Sequence, residues 1–282
     1  MMSTSELLLK SVQYRETVLR IIKRANAGHT GGSLSCVDIL NVLYNHVLNV
    51  SPETFGDPDR DRYIQSKGHS VEALYTVLAD KGFFPESELE TLAQFGSHFI
   101  GHPTRKVPGI EQNTGALGHG LPMAVGTALA GKLDEKTYRV FTLLGDGELH
   151  EGSNWEASMA ASHHKLDNLV VIVDRNGLMI TGPTEDVNGL EPLRDKFTAF
   201  GYEVRQVNGN DIQALVDCFA ELPFRDGKPS LVLASTIKGR GVSFIENAVD
   251  WHHHVPTDQQ MTIAMDELAS ARKALLENEL WN

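Results

Sequence analysis

Asp146 and Asn176 are the first residues whose types and spacing suggest chemistry. Asp146 lies in Gly-Asp-Gly after the apolar run 140–144, and Asn176 follows the apolar run 169–173, about thirty positions later. Each run reads as a buried strand, and a segment with helical spacing separates them. The strands should therefore be parallel, with both carboxyl ends at the sheet edge where α/β proteins bind ligands. Carboxylate and amide oxygens suit Mg²⁺ or Ca²⁺ better than zinc.

The glycines on either side of Asp146 indicate what such a cation would hold. Gly145 and Gly147 let the backbone turn sharply and approach a phosphate closely. The start of the following helix adds free amide donors and the positive end of a dipole. We therefore predict a diphosphate held through a divalent cation. The alternative is an ordinary Asp-Gly turn, and the second polar strand end, at 174–176, argues against it.

An α/β fold, with a parallel β-sheet sandwiched between helices, would position these residues. Buried strands are predicted at 140–144, 169–173, 202–207 and 230–236, and the apolar pair 63–64 is too short to assign. Helices are predicted at 5–26, around 39–47, and at 72–81, 86–95, 123–130, 149–164, 191–200, 211–222 and 258–276. No linker divides the chain, so we expect one domain over residues 1–282, with a helical tail from about 257.

Composition narrows the class of protein. The 282 residues carry a formal net charge of −12, which argues against non-specific binding to nucleic acid or to an anionic membrane surface. No long apolar run and no basic leader segment is evident, so we expect a soluble cytoplasmic protein without a membrane span. Cys36 and Cys218 are predicted to be free, buried thiols.

Four histidines lie beside glycine, proline or tryptophan where predicted elements end: His29, His69, His102 and His252. Each alone reads as an ordinary histidine, but all four fall where a parallel sheet gathers its loops. Histidine can move protons or bind substrate hydroxyls near neutral pH. A metal cluster at 252–254 is the rival interpretation. It is disfavoured because consecutive residues rarely converge on one ion and no second pair has zinc spacing.

The paired motif around Asp146 and Asn176 resembles the thiamine-diphosphate fingerprint, in which Gly-Asp-Gly precedes an asparagine by about thirty residues. Over essentially its whole length, the chain resembles the N-terminal half of a transketolase. It is most similar to the N-terminal subunits of split transketolases, which carry Ser-Lys-Gly-His and Trp-His motifs like those at 66–69 and 251–252. The resemblance implies a thiamine-diphosphate-binding fold, with the cofactor at a subunit interface.

The resemblance also assigns the cofactor site. Asp146, Asn176 and the backbone carbonyl of Leu178 would hold Mg²⁺, in whose place Ca²⁺ or Mn²⁺ could serve. The residues that would contact thiamine diphosphate are His69, Gly115, Ala116, Leu117, Gly147, Asn176 and His252.

Catalytic and interface residues follow from the same resemblance. The four histidines, His29, His69, His102 and His252, would bind the substrate or move its protons. Glu151 and Glu156 match paired carboxylates at the family's dimer interface, which are thought to link the two sites. Both could equally be ordinary acids in the first turn of a helix.

Some family features are replaced or missing. Thr30 and Ala116 stand where the family has proline, and His119 stands where glutamine is common, so we expect an effect on substrate choice. In a full transketolase the pyrimidine-binding half supplies the glutamate that activates the cofactor and much of the substrate-phosphate pocket. No second domain to hold them is evident here. The chain is therefore expected to act only with a separate C-terminal subunit, in a dimer of heterodimers.

The predicted activity is transfer of a two-carbon ketol unit from a ketose, expected to be phosphorylated, to an aldose. The alternatives within the cofactor class are a subunit like 1-deoxyxylulose-5-phosphate synthase and a 2-oxo-acid decarboxylating component. A non-catalytic regulatory subunit is another, which the intact Asp146 and Asn176 disfavour. A nicotinamide dehydrogenase is disfavoured because no Gly-x-Gly-x-x-Gly follows a strand.

Overall fold

The computed structural model describes residues 2–277, and within them the strands form two sheets. In chain order the strands are β1 (Arg62–Gln65), β2 (Val140–Gly145), β3 (Leu169–Arg175), β4 (Leu178–Met179), β5 (Gly182–Pro183), β6 (Glu203–Asn208) and β7 (Ser230–Ser235). β4 and β5 form a short antiparallel pair. The others form one parallel sheet in the order β1-β2-β3-β7-β6.

The register places the ends of the two central strands side by side. Gly145 of β2 pairs with Asp174 of β3, and both strands are buried along almost their whole length. Burial on both faces explains why each strand reads as an unbroken apolar run. The predicted parallel strand–helix–strand unit is therefore confirmed. β1 extends the sheet at the edge beside β2, and its four residues carry too little apolar pattern to predict.

Helices cover both faces of the large sheet. In chain order they are α1 (Thr4–Ala25), α2 (Thr30–Ser35), α3 (Val37–Val42), α4 (Val71–Asp80), α5 (Gly120–Leu133), α6 (Gly152–His163), α7 (Thr184–Asn188), α8 (Leu193–Phe200), α9 (Ile212–Ala220) and α10 (Asp258–Leu276). On one face α5, α6 and α8 pack around Leu144 and Val173. On the other face α1, α3, α4, α9 and α10 pack around Leu143 and Ile172. The predicted α/β sandwich is confirmed.

Three predicted helices differ from the structure. The helix predicted around 39–47 is α-helical only to Val42, and Leu43–Val47 form a π-helical turn. Residues 86–95 form only a 3₁₀ turn at Glu86–Thr91, because just Leu89 and Leu92 are buried there and Ala93 adopts a φ of 57°. The helix predicted from residue 149 instead starts at Gly152. A 3₁₀ turn at Gly147–His150 precedes it, and the extended backbone of Glu151, with a ψ of 125°, separates the two.

Further predictions concern the chain as a whole. The predicted C-terminal helix is present as α10, whose first turn is capped by the side chain of Thr257. One domain over residues 1–282 stays a prediction, because residues 1 and 278–282 lie outside the described part. Both cysteines are free, with Cys36 buried and Cys218 only half-buried. Between residues 2 and 277 no helix is long and apolar enough to cross a bilayer.

Candidate active site

Most of the predicted site residues meet at one cavity of about 280 Å³, at the carboxyl edge of the sheet. Those that line it are His29, His69, His102, Gly115, Leu117, Asp146, Gly147, Asn176, Leu178 and His252. Ala116, Glu151 and Glu156 are exposed and lie outside its lining, so their predicted contacts stay predictions. The structure therefore brings together the two groups of residues, strand-end oxygens and loop histidines, that the sequence singled out separately.

Asp146 directly follows β2 and is almost fully buried, and both of its carboxylate oxygens accept hydrogen bonds. Oδ1 accepts the N–H of Gly147 at 2.8 Å, and Oδ2 accepts the N–H of Gly177 at 2.6 Å and an N–H of Arg175 at 3.1 Å. Burial and then the carboxylate of Asp174 raise the pKa of Asp146, and the three donors oppose that rise. An ionised carboxylate offers about four lone-pair positions, so about one is left for a cation.

The two glycines beside Asp146 are not equivalent. A Cβ at Gly147 would lie 3.0 Å from the Cβ of Met179, so this position has little room for a side chain. A Cβ at Gly145 would lie no closer than 3.8 Å to the side chain of Lys67, which is ordinary contact. Neither glycine has a positive φ, so a left-handed turn requires neither of them. The expected close approach of a phosphate stays a prediction.

Asn176 and Leu178 bring two more oxygens to the cavity that Asp146 lines. Asn176 Oδ1 accepts the N–H of Leu178 at 3.1 Å, and the Leu178 carbonyl accepts from Lys238 Nζ at 3.0 Å. This donor set consists of hard oxygens and so fits a cation such as Mg²⁺. Among residues 2–277 no three His, Cys, Asp or Glu side chains are grouped to hold a metal.

Two buried lysines at the cavity were not among the predicted site residues. Lys67 pairs with Asp174 and donates to the Gly32 carbonyl at 3.0 Å. Lys238 bonds neutral acceptors, the Leu178 carbonyl and Nδ1 of His252, so its charge is available to an anionic ligand. Burial, followed by the charge of Lys67, lowers the pKa of Lys238 to about 8. Their positions just after β1 and β7, at the edge where Asp146 lies, were the signal that could have revealed them.

The predicted histidines form a cluster around His29. The ring centroid of His29 lies 5.2 Å from that of His69, 5.7 Å from that of His252 and 6.2 Å from that of His102. Burial lowers the pKa of His29 to about 4 and that of His252 to about 3. Burial also lowers the pKa values of His69 and His102. Neutral imidazoles can each donate one hydrogen bond and accept another, which suits sugar hydroxyls and proton transfer.

The loop that carries His29 is fixed by contacts that the sequence did not predict. The buried carboxylate of Glu72 accepts the N–H of His29 at 3.2 Å and the hydroxyl of Ser33 at 2.7 Å. Thr30, which replaces the family's proline, donates its hydroxyl to the carbonyl of His254. This bond joins the His29 loop to the segment 252–254. His253 is thereby held with its ring centroid 4.7 Å from that of His29.

Glu148, which also lines the cavity, connects three of the segments around it. This buried carboxylate accepts the N–H of Gly118 at 2.9 Å, the N–H of Gly145 at 3.1 Å and the hydroxyl of Ser66. Burial raises its pKa. Glu148 therefore joins the glycine-rich loop around Gly115 to the turn that carries Asp146. The sequence offered only its position after Gly147 as a signal.

Residues 10–274 match the family described as "Transketolase, thiamine diphosphate binding domain". The chain belongs to the transketolase family. It is 47% identical over 278 residues to one of the apulose-4-phosphate transketolase subunits of Phocaeicola vulgatus, covering 99% of both chains. It is 40% identical over 255 residues to the 6-deoxy-6-sulfo-D-fructose transketolase subunit SqwG of Clostridium sp. strain MSTE9, covering 90% of this chain and 93% of that one.

Solved transketolases share the fold. The transketolase of Campylobacter jejuni superposes with a TM-score of 0.87 at 28% identity, covering 96% of this chain. Only 46% of that longer chain is matched, so this transketolase-family chain spans about half of it. The predicted resemblance to an N-terminal subunit of a split transketolase is thus confirmed, and so is the thiamine-diphosphate-binding fold.

Proposed function

We propose that this chain is the N-terminal subunit of a two-subunit transketolase, which transfers a two-carbon ketol unit from a ketose to an aldose. The observation that carries the proposal is the convergence of the Asp146, Asn176 and Leu178 oxygens with four histidines around one cavity. The names of the two relatives contain a sugar 4-phosphate and a 6-sulfo sugar. These names support a donor sugar that carries an anionic group. The ketol-transfer assay compares donors with different anionic groups.

The cofactor site would use oxygens, amides and cations. Asp146, Asn176 and the Leu178 carbonyl would hold Mg²⁺, for which Ca²⁺ or Mn²⁺ could substitute, and Lys238 and Gly147 would face the diphosphate. The N–H of Gly147 donates to Asp146, and the α-helix begins only at Gly152, so the free helix amides expected at this position are absent. His69, Gly115, Ala116, Leu117 and His252 would complete the contacts. When bound, thiamine diphosphate supplies the carbanion chemistry that breaks and forms the carbon–carbon bond.

The chain's own histidines would act on the sugar. His29, His102 and His252 line the cavity with pKa values lowered by burial, so they are neutral near pH 7. Each would bind a substrate hydroxyl, and His29 and His102 would accept or return its proton. His252, whose Nδ1 accepts from Lys238, would donate a hydrogen bond through Nε2. The ring centroid of His69 lies 5.2 Å from that of His29, and His69 would serve both the cofactor and the substrate.

The partner would be a separate C-terminal subunit that supplies the activating glutamate. Two relatives named as subunits match this chain along nearly their full length, which supports a divided enzyme. Glu151 and Glu156, exposed at the start of α6, would lie at the subunit interface of a dimer of heterodimers. A cytoplasmic location stays a prediction from the composition.

The test is ketol transfer from xylulose 5-phosphate to ribose 5-phosphate with thiamine diphosphate and Mg²⁺. It is run with this chain alone and mixed with a candidate C-terminal subunit, and then with apulose 4-phosphate and 6-deoxy-6-sulfofructose as donors. We expect transfer only in the mixture, lost in Asp146→Ala and kept in Asp217→Ala, which changes an exposed aspartate. Transfer by the single chain would contradict the need for a partner. Release of CO₂ from pyruvate without ketol transfer would favour the decarboxylating alternative.

A further inference from the structure

Arg175, beside the proposed metal site, donates hydrogen bonds from its side chain to four residues. It lies between the two strand-end residues Asp174 and Asn176, with its side chain only 16% exposed. Its Nη1 donates to Asp146 Oδ2 at 3.1 Å and to Thr184 Oγ1 at 2.6 Å. A planar guanidinium can hold several acceptors in fixed directions, which an ammonium cannot do. Arg175 therefore constrains Asp146 and Thr184 relative to each other.

Through Thr184, Arg175 is also connected to the loop that carries Leu178, a second proposed metal ligand. The N–H of Thr184 donates to the Gly177 carbonyl at 2.9 Å, and this bond closes the loop that contains Leu178. The N–H of Gly177 in turn donates to Asp146 Oδ2. Because Arg175 fixes Thr184, and Thr184 is bonded to Gly177, Arg175 constrains both ends of the loop that presents the Leu178 carbonyl to the cavity.

The other nitrogen of Arg175 holds the segment 184–193. Nη2 donates to Glu185 at 2.7 Å and to Glu191 at 3.1 Å. Glu185 accepts the N–H groups of Leu190 and Glu191, and Glu191 accepts the N–H of Leu193. The segment therefore depends on two carboxylates that share one guanidinium.

We propose that Arg175 is a positioning residue, which orients the carboxylate of Asp146 and the Leu178 loop for metal binding and links both to segment 184–193. The inference rests on the proposed function, because it takes Asp146 and Leu178 as ligands. Three donors occupy the Asp146 carboxylate, so a cation would bind it through a single oxygen. Without Arg175 the carboxylate and the loop can each move, and ordering them on binding would lower the affinity for the metal.

Thermodynamic linkage makes the coupling between metal binding and the order of segment 184–193 reciprocal. Metal binding at Asp146 should protect segment 184–193, and weakening the segment should weaken metal binding. Glu185 is suited to test this, because it lies outside the cavity lining and, within the described residues, its side chain is linked to the site through Arg175.

The first measurement is calorimetric titration of the full chain with Mg²⁺ at saturating thiamine diphosphate, repeated with the C-terminal subunit present. We expect Arg175→Met to bind Mg²⁺ about tenfold more weakly or worse, as loss of an outer-shell partner usually does. Arg175→Lys should not restore affinity, because a point charge cannot bridge the same acceptors. The matched control is Arg205→Met, which removes an arginine paired with Glu203 and Glu221 away from the cavity.

Hydrogen exchange supplies the second readout. In the wild type, Mg²⁺ with thiamine diphosphate should slow exchange of the amides of Leu190, Glu191 and Leu193, and in Arg175→Met that protection should disappear. Glu185→Gln should weaken Mg²⁺ binding in the same direction as Arg175→Met. A folded Arg175→Met that binds Mg²⁺ as tightly as the wild type, or more tightly, would overturn the inference. A wild type that binds no Mg²⁺ in either setting would instead overturn the proposed function, and the inference with it.

Discussion

The ammonium of Lys238 donates to Nδ1 of His252 across 2.9 Å, and this contact decides the tautomer of the histidine. Because Nδ1 accepts a hydrogen bond, the proton of the neutral ring lies on Nε2. Burial and then the charge of Lys238 lower the pKa of His252 to about 3, so the neutral form prevails near pH 7. His252 can therefore offer one N–H donor to a ligand in the cavity.

We expect Lys238→Met to change two properties at once. The pKa of His252 should rise toward its ordinary value of 6.5, though not fully, since burial is the larger cause of its shift. Affinity for thiamine diphosphate should fall, because the cavity loses a cation beside the diphosphate. Ring resonances of His252 followed by NMR across pH, and calorimetry with the cofactor, measure these effects. Lys273→Met, at an exposed lysine of α10, is the control, and an unchanged His252 pKa would contradict the assignment.

Glu72 predicts a pH effect on stability. Burial raises its pKa from 4.5 to about 7 in the folded chain, so between these values the folded state holds a proton that the unfolded state has lost. Its contribution is fully present below about pH 4.5 and decreases as pH rises through 7. The melting temperature of the wild type relative to Glu72→Gln should therefore fall between pH 5 and 8. The control is Glu88→Gln at an exposed position, for which the difference in melting temperature from the wild type should not vary with pH in this way. Melting temperatures of the wild type and Glu72→Gln that change in parallel with pH would refute the prediction.

Sequence reasoning found the parts of the molecule whose signals are local. β2 and β3 are buried on both faces, so their apolar runs were unambiguous, and Asp146 and Asn176 stood at their ends. The histidines were found because glycine and proline mark the loops that carry them. The 3₁₀ turn at Glu86–Thr91 was mistaken for a helix because its acidic residues suit helices while its buried face is only two residues wide.

The buried charge pairs could not be predicted, because tertiary contact alone selects their partners. Asp174 sits in the same motif as Asn176 and reads equally well as a ligand. In the structure it accepts instead from Lys67, Ser35 and Thr236, three residues far apart in sequence. Burial alone would raise the pKa of Asp174, but the charge of Lys67 and these hydrogen bonds hold it below its ordinary value. Composition and spacing contain no signal for which of two neighbouring polar residues faces the cavity.

The close packing of Gly68 against the loop around Gly115 predicts an effect on cofactor binding. A Cβ at Gly68 would lie 2.9 Å from the backbone nitrogen of Gly115, a contact that no rotamer change can relieve. We expect Gly68→Ala to displace the loop around Gly115 and to weaken thiamine diphosphate binding, measured by calorimetry. Gly126→Ala is the matched control, because nothing lies within 4 Å of its Cβ position on α5. It should keep cofactor affinity and stabilise the chain by about 0.5–1 kcal/mol. Equal affinity in both variants would contradict the packing argument.

The position of His253 leads to a prediction about recognition of the donor sugar beyond its reacting carbons. It is exposed, it packs against the side of His29, and the bond between Thr30 and His254 holds it there. Under the proposed function, a donor sugar with its first carbons in the cavity would leave its remaining hydroxyls within reach of His253, which lies just outside the cavity lining beside His29. A lost hydrogen bond costs about 0.5–1.5 kcal/mol, or about twofold to tenfold in affinity.

We therefore expect His253→Ala to raise KM about twofold to tenfold for a ketose phosphate donor, with kcat nearly unchanged. Hydroxypyruvate lacks the outer hydroxyls, so its KM should not move. Steady-state kinetics of the two-subunit enzyme with both donors make the comparison. The control is His254→Ala, an exposed neighbour whose ring packs on Trp251 at a centroid distance of 4.5 Å and whose backbone carbonyl is retained for Thr30. An equal loss with both donors would mean that His253 acts through His29 and not on the outer part of the sugar.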